Sequence, residues 1–208
     1  LNGFGRAGDI GDGKFLEQLV KGAEAHFGKP IDILVANNGG PPPGGTDDMS
    51  EEQWADAINR NLLSAVRLTK LVSPGMKKSG WGRILHIAST TAKEPDDGMV
   101  LSNTTRAAVV AFAKTTSREL GPHGITVNTI LVAGVLTDRL KSLLGPAPGA
   151  PQAEFDAALE AVVKLFPVRH IPLPDEFAKI LLFLLSDEAR VVTGLALPID
   201  GGLMKAAF

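Results

Sequence analysis

Residues 125–133 read ITVNTILVA, in which β-branched residues alternate with polar ones before an apolar end, the pattern of a strand. Immediately upstream, apolar residues recur at helical spacing from about Ser102 to Leu120. Before that helix, RILHIAS at 83–89 is a second short β-branched run. The connection between the two strands is far too long for a hairpin, so they run parallel with the helix as their crossover.

The same alternation extends in both directions. KFLEQLVKGAEAHFG from Lys14 predicts a helix, and IDILVA from Ile31 a buried strand that stops at NNGGPPPGG. Ser50 and Gln53 form a capping box ahead of a long helix through Val72. Within it Trp54, Ile58, Leu62, Ala65 and Thr69 mark a buried stripe, with Asn61 inside the stripe. After Ala133 come two helical pieces, TDRLKSLL and QAEFDAALEAVVKLF, separated by Pro146, Pro148 and Pro151. PDEFAKILLFLLSDEA is a last helix and LALPIDGG a last strand. Strands alternating with helices predict an α/β fold, a doubly wound parallel sheet with helices on both faces. In such sheets ligands sit beyond the carboxyl ends of the strands, here NNGG, STT and VAGVLTD.

Composition narrows the function. With 208 residues and 44% hydrophobic content, the chain suits a single domain with a sizeable core. A formal charge of -2 offers no basic excess for a phosphate backbone, so nucleic acid is not an expected partner. The absence of cysteine excludes disulfides and thiolate chemistry. No apolar run approaches a membrane span, and the first residues lack the order of a signal peptide, so a cytoplasmic protein without membrane association is expected. His26, His86, His123 and His170 share no metal-ligand spacing, and the paired carboxylates fall in turns and helix starts, so no metal site is expected. The chain has no tyrosine.

The strand ends bring one group of residues together. Ser89 closes a strand, Ser102 stands thirteen residues on at a helix start, and Arg106 lies one turn further on the same face. A polar Asn61 on a buried face needs a hydrogen-bonding reason. These residues, with GDI before a helix, FGKPIDILVANNGG, RNLLSA, WGRILHIAS, RELGPHGITVN, Arg169 with Pro174 and Glu176, FLLSDEA and TGLALPIDGG, resemble the short-chain dehydrogenase/reductase family. The likeness runs from about Gly8 to Gly202 and is particularly to members such as the 3-oxoacyl-carrier-protein reductases.

The resemblance implies a Rossmann-type fold and hydride transfer between NAD or NADP and a ketone or secondary alcohol. It also implies an atypical site. Ser89 matches the family serine that steadies the substrate oxygen, and Asn61 the asparagine of its water relay. The proton-donating tyrosine falls on Ser102 and its partner lysine on Arg106. A serine hydroxyl is a far weaker acid than a phenol, and arginine keeps its charge while preferring bidentate oxygen partners. By the same resemblance Asp9, Ile10, Asn37, Gly39, Arg106, Val135 and Thr137 bind the cofactor, Asp9 reaching adenine unless it caps the first helix. The family loop Asn-Asn-Ala-Gly is here Ala36-Asn37-Asn38-Gly39, and Val132-Ala133 replace its Pro-Gly pair. Residues 138–170 match the family's variable substrate lid. Assembly as a homotetramer or dimer through the helices beginning at Ser50 and Ser102 is implied by analogy.

The family opens with a strand, a glycine-rich turn and a helix, then a further strand and helix before the GDI segment. Residues 1–208 are therefore read as one N-terminally incomplete domain, lacking the first two βα units. Taking residues 31–36 as strand 3 of the order 3-2-1-4-5-6 places two absent strands between it and the next, with a long open edge. Gly3, Gly5 and Gly8 spell G-x-G-x-x-G, but no strand precedes them and no helix opens directly after, so they are not read as a dinucleotide site. Two other readings stand beside the oxidoreductase. One is a binding or scaffold protein on the same fold, with Ser102 as N-cap and Thr105 at N3. The other is non-redox chemistry in which Arg106 grips an anionic group beside Ser89, Ser102 and Thr105.

Overall fold

The computed structural model describes residues 2–144 and 151–207. Four parallel strands form one sheet: β1 (Ile33–Ala36), β2 (Gly82–Ser89), β3 (Ile125–Val132) and β4 (Ala196–Ile199). They stand side by side in chain order, with Ile33 opposite Arg83, Gly82 opposite Ile125 and Thr129 opposite Ala196. The expected gap between the first two strands is not there. Helix α2 (Glu51–Ala57), a π-helical turn (Ile58–Leu63) and α3 (Ser64–Ser79) form a crossover that returns the chain to the adjacent position. The open edge is the outer side of β1, where Ile33 and Val35 are exposed. Chain order alone could not distinguish a neighbouring strand from one two places away.

Both faces of the sheet carry helices, as the pattern requires. α1 (Gly13–Phe27), α3 and α4 (Val100–Leu120) cover one face, where Leu16, Val72, Met76, Ile84, Ala113 and Val127 form a core. α7 (Pro174–Leu184) covers the other, with Leu181 and Leu184 against Leu85 and Ile130. Ile84 and Leu85 are consecutive and face opposite ways, as the two-residue period of a strand demands. β3 is buried on both faces, so its polar residues need internal partners. Asn128 supplies one answer, donating to the Val192 carbonyl and accepting from the Leu195 amide, which ties β3 to the lead-in of β4.

Local chemistry sets the element ends. Asp12 caps α1 by accepting from the Lys14 amide, and Ser50 with Gln53 makes the anticipated capping box. Gly124 links α4 to β3 at φ 72°, and a side chain there would collide with the Gly80 carbonyl. The π-helical turn corrects the expected stripe. An extra residue in that turn rotates the helix, so Ala57, Asn61, Ser64, Ala65 and Leu68 are buried while Ile58 is exposed. Beyond β3 come α5 (Asp138–Leu144) and α6 (Gln152–Val163); Pro146 and Pro148 lie outside the described residues. No helix among the described residues is long and apolar enough to cross a membrane.

Candidate active site

The strand register creates the site. β1 stops at Ala36, level with His86, while β2 and β3 continue to Ser89 and Val132. Arg83 bonds through its amide to the Asp32 carbonyl, so the backbone groups of alternate residues, Leu85 and Ile87 included, point toward β1. With β1 ended, the Ile87 carbonyl accepts instead from Arg106 Nη1 at 3.0 Å. The irregular loop of residues 37–40 follows β1 at that level. A cleft of ≈ 610 Å³ opens there, lined by Asn37, Gly39, Ser89, Ser102, Arg106, Val135, Thr137 and others.

The polar first turns of α4 now have individual explanations. The helix starts at Val100 with Met99 at the cap and no side-chain cap bond, so Ser102 is a helical residue and not the N-cap. Ser102 is buried and its hydroxyl lies 3.2 Å from that of Thr91. Thr91 in turn bonds through its amide to the Ser89 hydroxyl at 3.2 Å, which links the two serines through one residue. Asn103 points elsewhere and donates to the Asp96 carbonyl. Thr105 donates back to the Leu101 carbonyl and accepts from Asn61 at 3.1 Å.

Arg106 is 6% exposed, and its Nη1 donates to Asn38 Oδ1 at 2.8 Å as well as to Ile87. Asn38 donates onward to Asn61 Oδ1 at 2.7 Å and to the Arg60 carbonyl at 2.6 Å. The buried Nε of Arg106 has no partner. Burial, and secondarily the charge of Arg139, hold the Arg106 pKa down to about 10, which still leaves a cation at neutral pH.

The structure therefore brings Ser89, Ser102, Arg106, Asn37, Gly39, Val135 and Thr137 to one cleft. Asn61 joins them through Asn38. Ile10 lies behind this group, in a small hollow shared with Asn37, Asn38, Asn61 and Arg106. Asp9 lies apart. It does not cap α1; its carboxylate takes both Nη atoms of Arg60 at 2.8 Å and the Gly11 amide. The Gly11 bond and the Arg60 guanidinium hold that carboxylate below its usual pKa. Gly8 of the GFGRAG stretch packs against Phe15, where a Cβ would clash, and residues 2–9 form neither helix nor strand.

Three participants escaped the sequence reading. Asn38 was legible only as part of a strand-end loop, although a second Asn directly after a strand was a usable signal. Thr91 follows Ser89 by two residues, the spacing of a hydroxyl that caps a turn. Arg139, just after Thr137, lines the cleft from α5.

Comparison with known proteins bears on the family and the fold. Residues 3–204 match the family model described as enoyl-(acyl carrier protein) reductase. The chain is 30% identical over 203 residues to the 3-oxoacyl-[acyl-carrier-protein] reductase FabG of Pseudomonas aeruginosa, covering 98% of this chain and 77% of that one. The crystal structure of YwfH, an NADPH dependent reductase involved in bacilysin biosynthesis, superposes with a TM-score of 0.87 at 28% identity, covering 97% of this chain and 77% of YwfH. L-sorbose reductase from Gluconobacter frateurii, solved with NADPH and L-sorbose, gives 0.86 at 30% identity, covering 96% and 76%.

Proposed function

The chain belongs to the short-chain dehydrogenase/reductase family, and from that premise we propose that it is an NAD(P)-dependent oxidoreductase acting on a ketone or secondary alcohol without a phenolic acid. The observation that carries this reading is the placement of Ser89, Ser102 and Arg106 on one cleft at the carboxyl ends of β2 and β3. The residues present fit the nicotinamide half of such a cofactor. The cleft has an apolar wall at Val132 and Val135, and the guanidinium of Arg106 carries an unpartnered buried Nε that ribose hydroxyls would satisfy. A bound nicotinamide supplies or accepts the hydride.

Each side chain then has a task. Ser89 steadies the substrate oxygen, and Ser102, or a water beside it, delivers the proton. Arg106 holds the ribose, and Asn61 acts through Asn38 to position it. Asn37, Gly39, Val135 and Thr137 line the cofactor's path, with Asp9 and Ile10 at its adenine end. Within residues 138–170, of which 145–150 lie outside the described residues, α5 and α6 serve as a lid over an apolar substrate, and a homotetramer or dimer forms through α2–α3 and α4. Loss of a positioned general acid typically costs about 10² to 10⁴ in rate, so reduction is slow relative to tyrosine-bearing members.

The test is titration of the protein with NADPH and NADH, followed by cofactor oxidation with simple ketones. Saturable binding with slow turnover supports the reading. Binding without turnover points to non-redox use of the fold, and no binding of either nucleotide overturns the cofactor assignment.

A further inference from the structure

A hydroxyl has one proton and two lone pairs, and rotation about its C–O bond decides which of them faces a neighbour. A serine that is to hold a carbonyl oxygen must therefore have its own oxygen committed to a donor elsewhere, or a lone pair meets the substrate. Ser89 and Ser102 both line the cleft, and each hydroxyl has one hydrogen-bond partner among the described residues. For both it is Thr91. We propose that Thr91 is a positioning residue that turns the two serine hydroxyls into a matched pair of donors for one substrate oxygen. This rests on the reductase reading above, and Thr91 itself, 5% exposed, is not part of the cleft lining.

The two bonds leave Thr91 by different groups. Its amide donates to Ser89 Oγ at 3.2 Å, so the Ser89 proton is free to point into the cleft. Its hydroxyl lies 3.2 Å from Ser102 Oγ, and when Ser102 turns its own proton to a substrate, Thr91 is the one that donates. In unliganded sites such bonds are often long and tighten around the reacting oxygen. Thr91 keeps its proton throughout; it fixes the direction of Ser102 and transfers nothing.

The turn that carries Thr91 is held from both sides. Thr90–Ala92 form a single 3₁₀ turn directly after β2, with the Lys93 and Glu94 amides both bonded to the Thr90 carbonyl at 3.0 Å. On its outer side the Glu94 carboxylate accepts the Lys205 amide at 2.9 Å and that of Ala206 at 3.5 Å, which ties the turn to the segment after β4. Asp200 accepts from the Gly202 and Met204 amides and so fixes the start of that segment. Donors set in place before a substrate arrives need no reorganisation as charge develops on its oxygen. A threonine two residues beyond Ser89 suits this task, because its backbone reaches back to β2 and its side chain across to α4.

The experiment measures reduction of cyclohexanone by NADPH and, in parallel, binding of cyclohexanecarboxamide, an unreactive carbonyl on the same ring, in the presence of NADP+. Thr91→Val keeps the amide and the shape but loses the hydroxyl, and Thr91→Ser restores it. In Thr91→Val, kcat is expected to fall about tenfold while KM for NADPH changes less than about twofold, and the carboxamide to bind about threefold or more weakly. Thr91→Ser should recover most of both. The same Thr91→Val change made in Ser102→Ala should leave carboxamide affinity within about 1.5-fold, because the residue through which Thr91 acts is gone. Unchanged kcat in Thr91→Val overturns the proposal. So does an equal loss of carboxamide affinity in the two backgrounds, which assigns Thr91 to packing alone. If no ketone is reduced, the reductase reading fails separately and carboxamide binding decides the donor pair. A loss confined to the background with Ser102 sustains it; no binding to the wild type, or no dependence on Thr91, overturns it.

Discussion

Arg106 donates to Asn38 across the gap where β1 ends, at 2.8 Å, and this bond fixes which way the Asn38 amide faces. With its oxygen committed to a cation, Asn38 must present its NH₂ to Asn61 and to the Arg60 carbonyl, as it does. Asn61 then has its own oxygen occupied and donates to Thr105, which donates to Leu101. The donors run in one direction from the cleft into the start of α4. The π-helical turn is what places Asn61 on the inner face to receive that bond.

Breaking the chain at Asn38 should therefore cost stability as well as orientation. Asn38→Leu leaves Asn61 Oδ1 without its donor and removes one of the two acceptors of Arg106, while the Arg60 carbonyl keeps the Ser64 hydroxyl. Each buried group left unpaired costs about 1–3 kcal/mol. Chemical unfolding of the variant should show a loss in that range. Asn38→Asp, which retains the acceptor for Arg106, should hold NADPH better than Asn38→Leu.

Restoring the family chemistry is the sharper catalytic test. Ser102→Tyr together with Arg106→Lys should raise ketone reduction at least about tenfold, because it supplies a phenolic acid and the ammonium that tunes it. The cleft beside Ser102 gives the ring a direction in which to extend. Steady-state kinetics at matched cofactor saturation would check this. A double variant that binds NADPH and is no faster would show a pocket shaped for another reaction.

How far these features were legible before the fold was known differs by kind. The β2–α4–β3 unit was plain because its periods are strong, and Ser89, Ser102 and Arg106 converge as their strand-end and helix-start positions implied. Strand adjacency was misjudged, since sequence order records connection and not pairing. Ile58 was placed in the core because a regular 3.6-residue helix puts it there; a π-helical turn has no apolar signature. Ser102 resembled a cap because serine caps often, yet the helix begins two residues earlier on residues with no capping side chain. Arg139 was invisible because a cation on a surface-type helix reads as solvated until the facing loop is known to lack side chains.

Arg83 tests how a buried charge is held. Its guanidinium is 2% exposed, lies 4.3 Å from the Trp81 ring centre, and donates to the carbonyls of Ser186, Gly82 and Gly124. Its ionic partner Asp187 is 78% exposed at 3.3 Å, so solvent screens that pair. Desolvation lowers the Arg83 pKa, with Asp187 opposing. The carbonyl bonds and packing should dominate. Arg83→Met is expected to destabilise by roughly 2–4 kcal/mol and Asp187→Asn by less than about 1 kcal/mol, measured by urea unfolding. Equal losses would mean that the ion pair is the main contribution.

His86 should make the protein sensitive to acid. It sits on β2 at 1% exposure, with neither ring nitrogen hydrogen-bonded and its ring edge against Phe112 at 5.8 Å. Burial depresses its pKa from 6.5 to about 4, because the charged imidazolium has neither water nor an acceptor. The unfolded chain thus binds a proton at a pH where the folded chain does not. Stability from this group is complete above about pH 6.5 and declines as the pH falls toward 4, by roughly 2–3 kcal/mol between pH 7.5 and pH 4.5. Replacing the ring by an apolar side chain of similar size removes both the titration and two unsatisfied nitrogens. Urea unfolding of the wild type and His86→Leu at the two pH values should show a fall in the wild type that is smaller by that amount in the variant. Parallel pH profiles would place the acid sensitivity elsewhere, among the carboxylates of the capping and ion-pair sites.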